Sequence, residues 1–294
     1  MGFVVVGGAG FLGRALVRDL ADAGHTFHVV DLPDSLAGHP VEGATSCRGV
    51  STENGAELAR VLRLIRPDIV VDLAYLVGPP AEEDVALATH VNLVGPIHSM
   101  RAAQQAGARL YVQASSIAVY GPSTERWGRE VTEEDMLPLG HHVTTYGAFK
   151  CVNEFQLARF AAETGMRTTS VRLSIVLGPG RGRGLATWSS RFLADVGAGK
   201  RHHHIPVPGS ARSSLLSAHD AVRFLRLVSA HPRPRAVYNS GGHDLSAHEI
   251  AAHARRLHPG IRVVFDESAT NIPFVHAVSH TRARGGFRVH VAER

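Results

Sequence analysis

A chain of 294 residues with 44% hydrophobic and 19% charged side chains can bury one large core or two modest ones, and it is neither disordered nor of low complexity. Its net charge of +5 comes from scattered arginines, without a dense basic run or interleaved aromatics, which argues against a nucleic-acid surface. No run of about 18 uninterrupted apolar residues suggests a membrane span. The two cysteines, Cys47 and Cys151, lack metal or redox spacing and read as free thiols in a reducing cytosol.

The chain opens on FVVV (3–6), a short buried strand, then FLGRALVRDLADAG (11–24), apolar at helical spacing and ending at a glycine. The apolar start has no basic leader and too many glycines for a signal helix. HTFHVVD (25–31) is a second strand, ELARVLRLIRP a helix stopped by Pro67, and DIVVDLA (68–74) a third strand. This alternation predicts an α/β fold, a Rossmann-type doubly wound parallel sheet.

The first turn reads GGAGFLG, with Gly7, Gly10 and Gly13 spaced as a phosphate-binding loop and Phe11 and Leu12 between them. One glycine lets the chain turn after the strand, a second lets backbone approach a pyrophosphate, and the last lets helix and strand pack closely; the helix N-terminus then faces the phosphates. Asp31, 18 residues past Gly13 at the end of the next strand, suits the ribose hydroxyls. Its carboxylate would repel a 2′-phosphate, which favours NAD over NADP, although arginines such as Arg14 could offset that repulsion.

ARLYVQASSIAVYG (108–121) is a strand running into small hydroxyl residues. Farther on, TTYGAFK (144–150) carries one of only two lysines in the chain, four residues after Tyr146 at the head of an amphipathic helix. Positions i and i+4 share a helix face, so Tyr146 and Lys150 point the same way. A tyrosine with pKa near 10 needs a depression of roughly 3 units, about 4 kcal/mol, to move protons at neutral pH. One positive charge at about 4 Å in an effective dielectric near 20 supplies an amount of that order. The chemistry implied is hydride transfer between a carbinol carbon and a cofactor, with tyrosine as acid/base.

Together, VVVGGAGFLG, VVD, VVDLA, VNLVG, SSIAVYG, YGAFK, RLSIVLGPG and YNSGG, in that order, resemble the extended short-chain dehydrogenase/reductase superfamily, in its NAD-dependent epimerase/dehydratase branch. The resemblance implies Ser116 as the catalytic hydroxyl beside Ser115, Tyr146 as acid/base, and Lys150 as the ribose-binding residue that lowers the tyrosine pKa. It places Leu73 and Ala74 against the cofactor through their backbone. Asn92, counted with the cofactor site, supports the active-site helix. Ser116 and Tyr146 would hold the substrate, and Arg212 is the candidate for gripping a diphosphate. The resemblance also implies a nucleotide-binding part over 1–175 with a returning segment at about 210–240, a smaller C-terminal substrate-binding lobe from 176–209 and 241–294, and a homodimer built on helices at about 84–106 and 146–164.

Ile117 and Ala118 stand where sugar dehydratases of that branch carry Asp-Glu, which argues against dehydration; Val50 replaces an adenine-contacting Asp, and Ile175 replaces a substrate-contacting asparagine. A sugar or nucleotide-sugar epimerase leads the expected functions. The alternatives are a reductase or dehydrogenase of a non-nucleotide small molecule, and a non-catalytic NAD(P)-sensing protein. The retained Tyr146 and Lys150 argue against the last. The histidines of RHHHIPVP (201–208) alternate faces in an extended segment, so no metal site is expected. His141 and His142 read as loop residues ahead of the catalytic helix.

Overall fold

The computed structural model describes residues 1–184, 186–269 and 275–286. In chain order the strands of the main sheet are β1 (Gly2–Val6), β2 (Thr26–Asp31), β3 (Ser46–Gly49), β4 (Ile69–Asp72), β5 (Leu110–Ser116) and β6 (Arg167–Leu173). The first half carries helices α1 (Phe11–Asp22), α2 (Pro33–Gly38), α3 (Gly55–Ile65), α4 (Pro79–Glu83), α5 (Val85–Thr89), α6 (Gly95–Gln105) and α7 (Thr145–Thr164). Beyond them lie β7 (Ile175–Leu177), α8 (Thr187–Gly197), β8 (His202–Ile205), β9 (Arg212–Ser217), α9 (Ala218–Ala230), β10 (Val237–Asn239), β11 (His243–Ser246), α10 (Ala247–Leu257), β12 (Arg262–Phe265) and α11 (Thr281–Gly286).

Seven strands form a sheet in the order β10-β6-β5-β4-β1-β2-β3, parallel throughout. Parallel strands covered on both faces need continuous apolar runs, and Phe3, Val4, Val5 and Ile69, Val70, Val71 are all fully buried. One face packs on α1 and α9 through Leu16, Leu20, Phe224 and Leu225. The other packs on α3 and α6 through Leu58, Leu62 and Met100. The chain reverses direction of growth between β1 and β4, so the carboxyl ends of those strands open a crevice, where ligands of such sheets bind.

The smaller part contains a three-stranded sheet, β11-β9-β7, and a parallel pair, β12-β8. Its own core joins Trp188, Phe192, Ile205, Leu215 and Ile250. Within the returning segment only α9 and β10 join the nucleotide half, because β9 pairs with β7 and β11 instead. Ser246 starts α10 with a complete capping box to Glu249. The helix expected over about 84–106 is interrupted. Asp84 caps α5, and a π-helical turn at His90–Val94 precedes α6, whose second residue is Pro96. Residues 185, 270–274 and 287–294 of the expected lobe lie outside the described residues. Among the described residues no helix is long and apolar enough to cross a membrane.

Candidate active site

The glycine loop follows β1 directly. Gly7 has φ of +79°, and a Cβ there would stand 2.7 Å from the Ala74 backbone nitrogen. A Cβ on Gly13 would overlap the Gly7 carbonyl oxygen, so α1 packs against the turn only because residue 13 is glycine. Gly10 is the N-cap of α1 and provides no side-chain cap, leaving the first-turn N–H groups around Phe11, Leu12 and Gly13 open to an anion. The Asp31 carboxylate accepts from Ala9 N and Leu32 N at 2.8 Å each, which sets it at the rim of the same loop. Leu73 and Ala74 continue β4 beside Gly7, with Leu73 N bonded to Val6 O at 2.9 Å. A backbone cradle that any side chain would fill, an uncapped helix start and a carboxylate at the second strand's end fit a dinucleotide. Arg14 donates to Ala9 O at 2.6 Å, so this guanidinium is tied to loop backbone.

The end of the crevice that holds the candidate Ser, Tyr and Lys is built by β5 and α7. The Ser115 hydroxyl is buried and donates to Glu154 at 2.5 Å. Ser116 turns the other way: its Oγ accepts from Ala118 N at 3.1 Å, and this hydroxyl works against the rise that burial imposes on the Tyr146 phenol. Thr144 caps α7 through Gly147 N, and Glu82 from α4 accepts from both Thr145 N (2.9 Å) and Tyr146 N (3.1 Å). A carboxylate over these N–H groups complements the helix dipole and fixes the turn that carries the phenol. Lys150 is 3% exposed, and its Nζ donates to Ala114 O at 2.7 Å. Sequence reasoning missed Glu82 and also Tyr75, whose ring meets Tyr146 edge-on with centroids 5.4 Å apart.

The electrostatics differ from expectation. Burial pushes the Tyr146 phenol up; its hydrogen bond to Ser116 and the charge of Arg181 pull the other way. The Lys150 ammonium lies 5.6 Å from the Tyr146 ring centre, and burial pulls its own pKa down to about 7 against the partial support of Asp72 and Glu154. A desolvated lysine that is partly neutral at pH 7 gives less cationic field than a solvated one. Arg181, between β7 and α8, is the cation that offsets part of that burial.

Asn92 is fully buried in the π-helical turn, where its side chain bonds both Leu76 N (2.7 Å) and Leu76 O (3.0 Å). Asn153 of α7 donates to Asn92 O at 2.8 Å. Asn92 therefore acts by stapling the loop after β4 to the catalytic helix, without an exposed atom for a cofactor. Beneath the site, Arg172 of β6 pairs with Glu154 of α7 at 2.8 Å and donates to the Tyr120 hydroxyl at 2.8 Å, which in turn donates to Asn239 at 2.6 Å. Arg212 opens β9 among acidic neighbours. Its Nε and Nη2 bond Asp244 at 2.8 and 2.9 Å, and its Nη1 meets Glu249 at 3.2 Å, so the fork expected to grip a diphosphate is already engaged. Ile175 is 6% exposed in the apolar core of the smaller part.

The parallel sheet and the glycine cradle at its switch point define a dinucleotide-binding enzyme of the oxidoreductase type. Residues 3–241 match the family model of the NAD dependent epimerase/dehydratase family, and the chain belongs to that family, enzymes of the extended short-chain dehydrogenase type that use NAD. It is 26% identical over 256 residues to a UDP-glucose 4-epimerase of Vibrio cholerae, covering 84% of this chain and 73% of that one. It is 29% identical over 283 residues to a 3-beta-hydroxysteroid dehydrogenase of Mycolicibacterium neoaurum, covering 88% and 72%. Its fold resembles that of an L-threonine dehydrogenase from Clostridium difficile with a TM-score of 0.85 at 17% identity, covering 97% and 91% of the two chains.

Proposed function

We propose that the enzyme oxidises a secondary alcohol, or reduces the corresponding ketone, on a non-nucleotide small molecule. The placement of Ser116 at the end of β5 and of Tyr146 at the head of α7, in the crevice that ends at the glycine loop, carries this reading. Gly7, Gly10 and Gly13 with the first turn of α1 would hold the pyrophosphate, and Asp31 the adenosine ribose. NAD, when bound, supplies the hydride acceptor in one direction and the donor in the other. Ser116 holds the substrate oxygen, and Tyr146 takes the carbinol proton or returns it. The loop stapled by Asn92 and the buried Lys150 keep water away from the phenol.

Engagement of Arg212 by Asp244 and Glu249, and the apolar Ile175, favour a substrate without a nucleoside diphosphate. Epimerisation of a nucleotide sugar is the second reading, supported by the match to the Vibrio cholerae epimerase. Replacing Tyr146 by Phe is expected to lower turnover about 10²- to 10⁴-fold with NADH binding intact; unchanged turnover sinks the assignment. UDP-glucose incubated with catalytic NAD separates the readings, since product without net NADH favours epimerisation. We read the protein as a cytosolic homodimer. Cys47 and Cys151 are free, and Val85, Leu87 and Phe155 on α5 and α7 are 51%, 41% and 65% exposed. Sedimentation showing only a 31.5 kDa species at micromolar concentration refutes the dimer.

A further inference from the structure

Lys150 is sealed off from the crevice by one aromatic ring. Its Nζ donates to Ala114 O at 2.7 Å, the Tyr75 ring centre stands 3.3 Å from the same atom, and the residue is 3% exposed. The ring also walls a small cavity at the ends of β4 and β5, bounded by Leu73, Ala74 and Ala114. The sheet order puts β2 on one side of β1, and β4 and β5 on the other. A dinucleotide with its pyrophosphate on the Gly7–Gly13 loop and its adenosine ribose at Asp31 therefore lays its second ribose over β4 and β5, against Lys150. While the Tyr75 ring stands where it does, a ribose hydroxyl has no path to Nζ.

The ring has both a hinge and a reason to move. Backbone on either side of it is pinned: Leu73 N bonds Val6 O at 2.9 Å, Ala74 N bonds Asp72 Oδ1 at 3.0 Å, and the Asn92 side chain holds Leu76 N and O at 2.7 and 3.0 Å. Tyr75 can leave Lys150 only by turning about its own side-chain bonds, from one staggered rotamer to another. Two effects oppose each other there. The ring face on a desolvated ammonium favours staying. The Tyr75 hydroxyl is buried without a hydrogen-bond partner among the described residues, and it regains water when the ring swings out. A side chain held by one effect and expelled by another of similar size sits near an even balance, so a modest difference in ligand affinity can tip it.

We propose that Tyr75 is a cofactor gate: its ring closes over Lys150 and turns aside when the nicotinamide ribose of NAD docks at the ends of β4 and β5. This rests on the reading that Lys150 receives that ribose. Closed, the ring keeps the buried cation from water. Open, the ribose hydroxyls replace the ring face as partners of the ammonium, and the Tyr75 hydroxyl is solvated. The free energy of opening is drawn from cofactor binding, so the apparent affinity for NAD and NADH falls with the fraction of molecules whose gate is shut.

The test titrates NADH by fluorescence into the wild type, Tyr75→Phe and Tyr75→Ala. Tyr75→Phe keeps the ring face and lacks the hydroxyl that drives opening, so its NADH affinity is expected to fall about 3- to 100-fold. Tyr75→Ala has no ring to displace, and its affinity should equal or exceed that of the wild type. Tyr75→Phe binding as tightly as the wild type, or Tyr75→Ala binding more weakly, overturns the proposal. A second readout follows the ring itself. In protein labelled with 3-fluorotyrosine, Tyr75→Phe identifies the Tyr75 fluorine signal among those of the five tyrosines. Saturating NADH should increase that signal's H₂O/D₂O isotope shift, and an unchanged isotope shift also overturns the gate. Failure of the underlying reading looks different. In the Tyr75→Ala background, Lys150→Met should weaken NADH binding about tenfold or more through loss of the ribose's charged donor; no change there places the ribose elsewhere. If that loss is seen and Tyr75→Phe binds like the wild type, only the gate falls.

Discussion

The Nζ of Lys150 lies 3.3 Å from the centre of the Tyr75 ring, closer than to any other ring it faces. Tyr75 thus shields the lysine with its π face, while its own hydroxyl is buried without a hydrogen-bond partner. A desolvated cation–π contact is worth about 2 kcal/mol, and a buried unpaired hydroxyl costs about 1–3 kcal/mol. Tyr75→Phe keeps the first and removes the second, so its midpoint of urea unfolding should equal or exceed that of the wild type. Tyr75→Leu loses the ring and should unfold earlier. The opposite order would show that the hydroxyl, and not the ring, matters.

Lys150 makes stability depend on pH with a definite sign. Its folded pKa of about 7 lies below the ordinary 10.5, so between those values the unfolded chain binds more protons than the native one. Stability therefore rises with pH across that window, by up to about 1.4 kcal/mol per unit. Comparing wild type with Lys150→Met by denaturant unfolding at pH 7, 8 and 9 isolates this contribution. The wild type should gain on the variant at each step, and a constant difference would contradict the burial described here.

Gly13→Ala should be the most damaging single-methyl change in the glycine loop, since the new Cβ overlaps the Gly7 carbonyl. Backbone cannot yield as a flexible side-chain tip can. We expect at least a tenfold loss of NADH affinity, about 1.4 kcal/mol, measured by fluorescence titration. Gly24→Ala, where no atom lies within 4 Å but φ is +72°, serves as a control that strains the backbone without touching the cradle; it should leave the affinity unchanged.

The ion pair beneath the site gives a stability prediction. Arg172 and Glu154 have side chains 3% and 4% exposed. Removing one partner strands a buried charge, so Arg172→Met should cost about 3–5 kcal/mol. The double variant with Glu154→Leu should recover part of that loss in the same unfolding experiment. An additive double variant would show that the charges do not interact.

The features legible in the sequence were those written in contiguous residues. A strand, a glycine turn and a helix follow one another at Val6, Gly7 and Phe11, and the four-residue spacing of Tyr146 and Lys150 survives folding because both sit on α7. The rarity of lysine made Lys150 conspicuous, whereas the abundance of arginine left no single arginine marked out. Tyr75, from the loop after β4, and Glu82, from α4, reach the head of α7 along paths that depend on packing elsewhere, so no local spacing marks them. The π-helical turn at His90–Val94 was equally hidden, because its apolar positions continue the pattern of an ordinary helix.

Because β10 arrives from residues 237–239 to flank β6, the edge of the main sheet is closed by a segment synthesised long after the strands it protects. Asn239 in that strand also completes the buried chain that runs from Arg172 through Tyr120. A ribosome-bound chain ending near residue 175 would carry nearly every cofactor-binding residue yet expose the flank of β6 to self-pairing. The nucleotide half is thus expected to need its own distant C-terminal strand to stay soluble, so cutting the gene at the apparent boundary between the two parts should yield aggregates and not a working cofactor module.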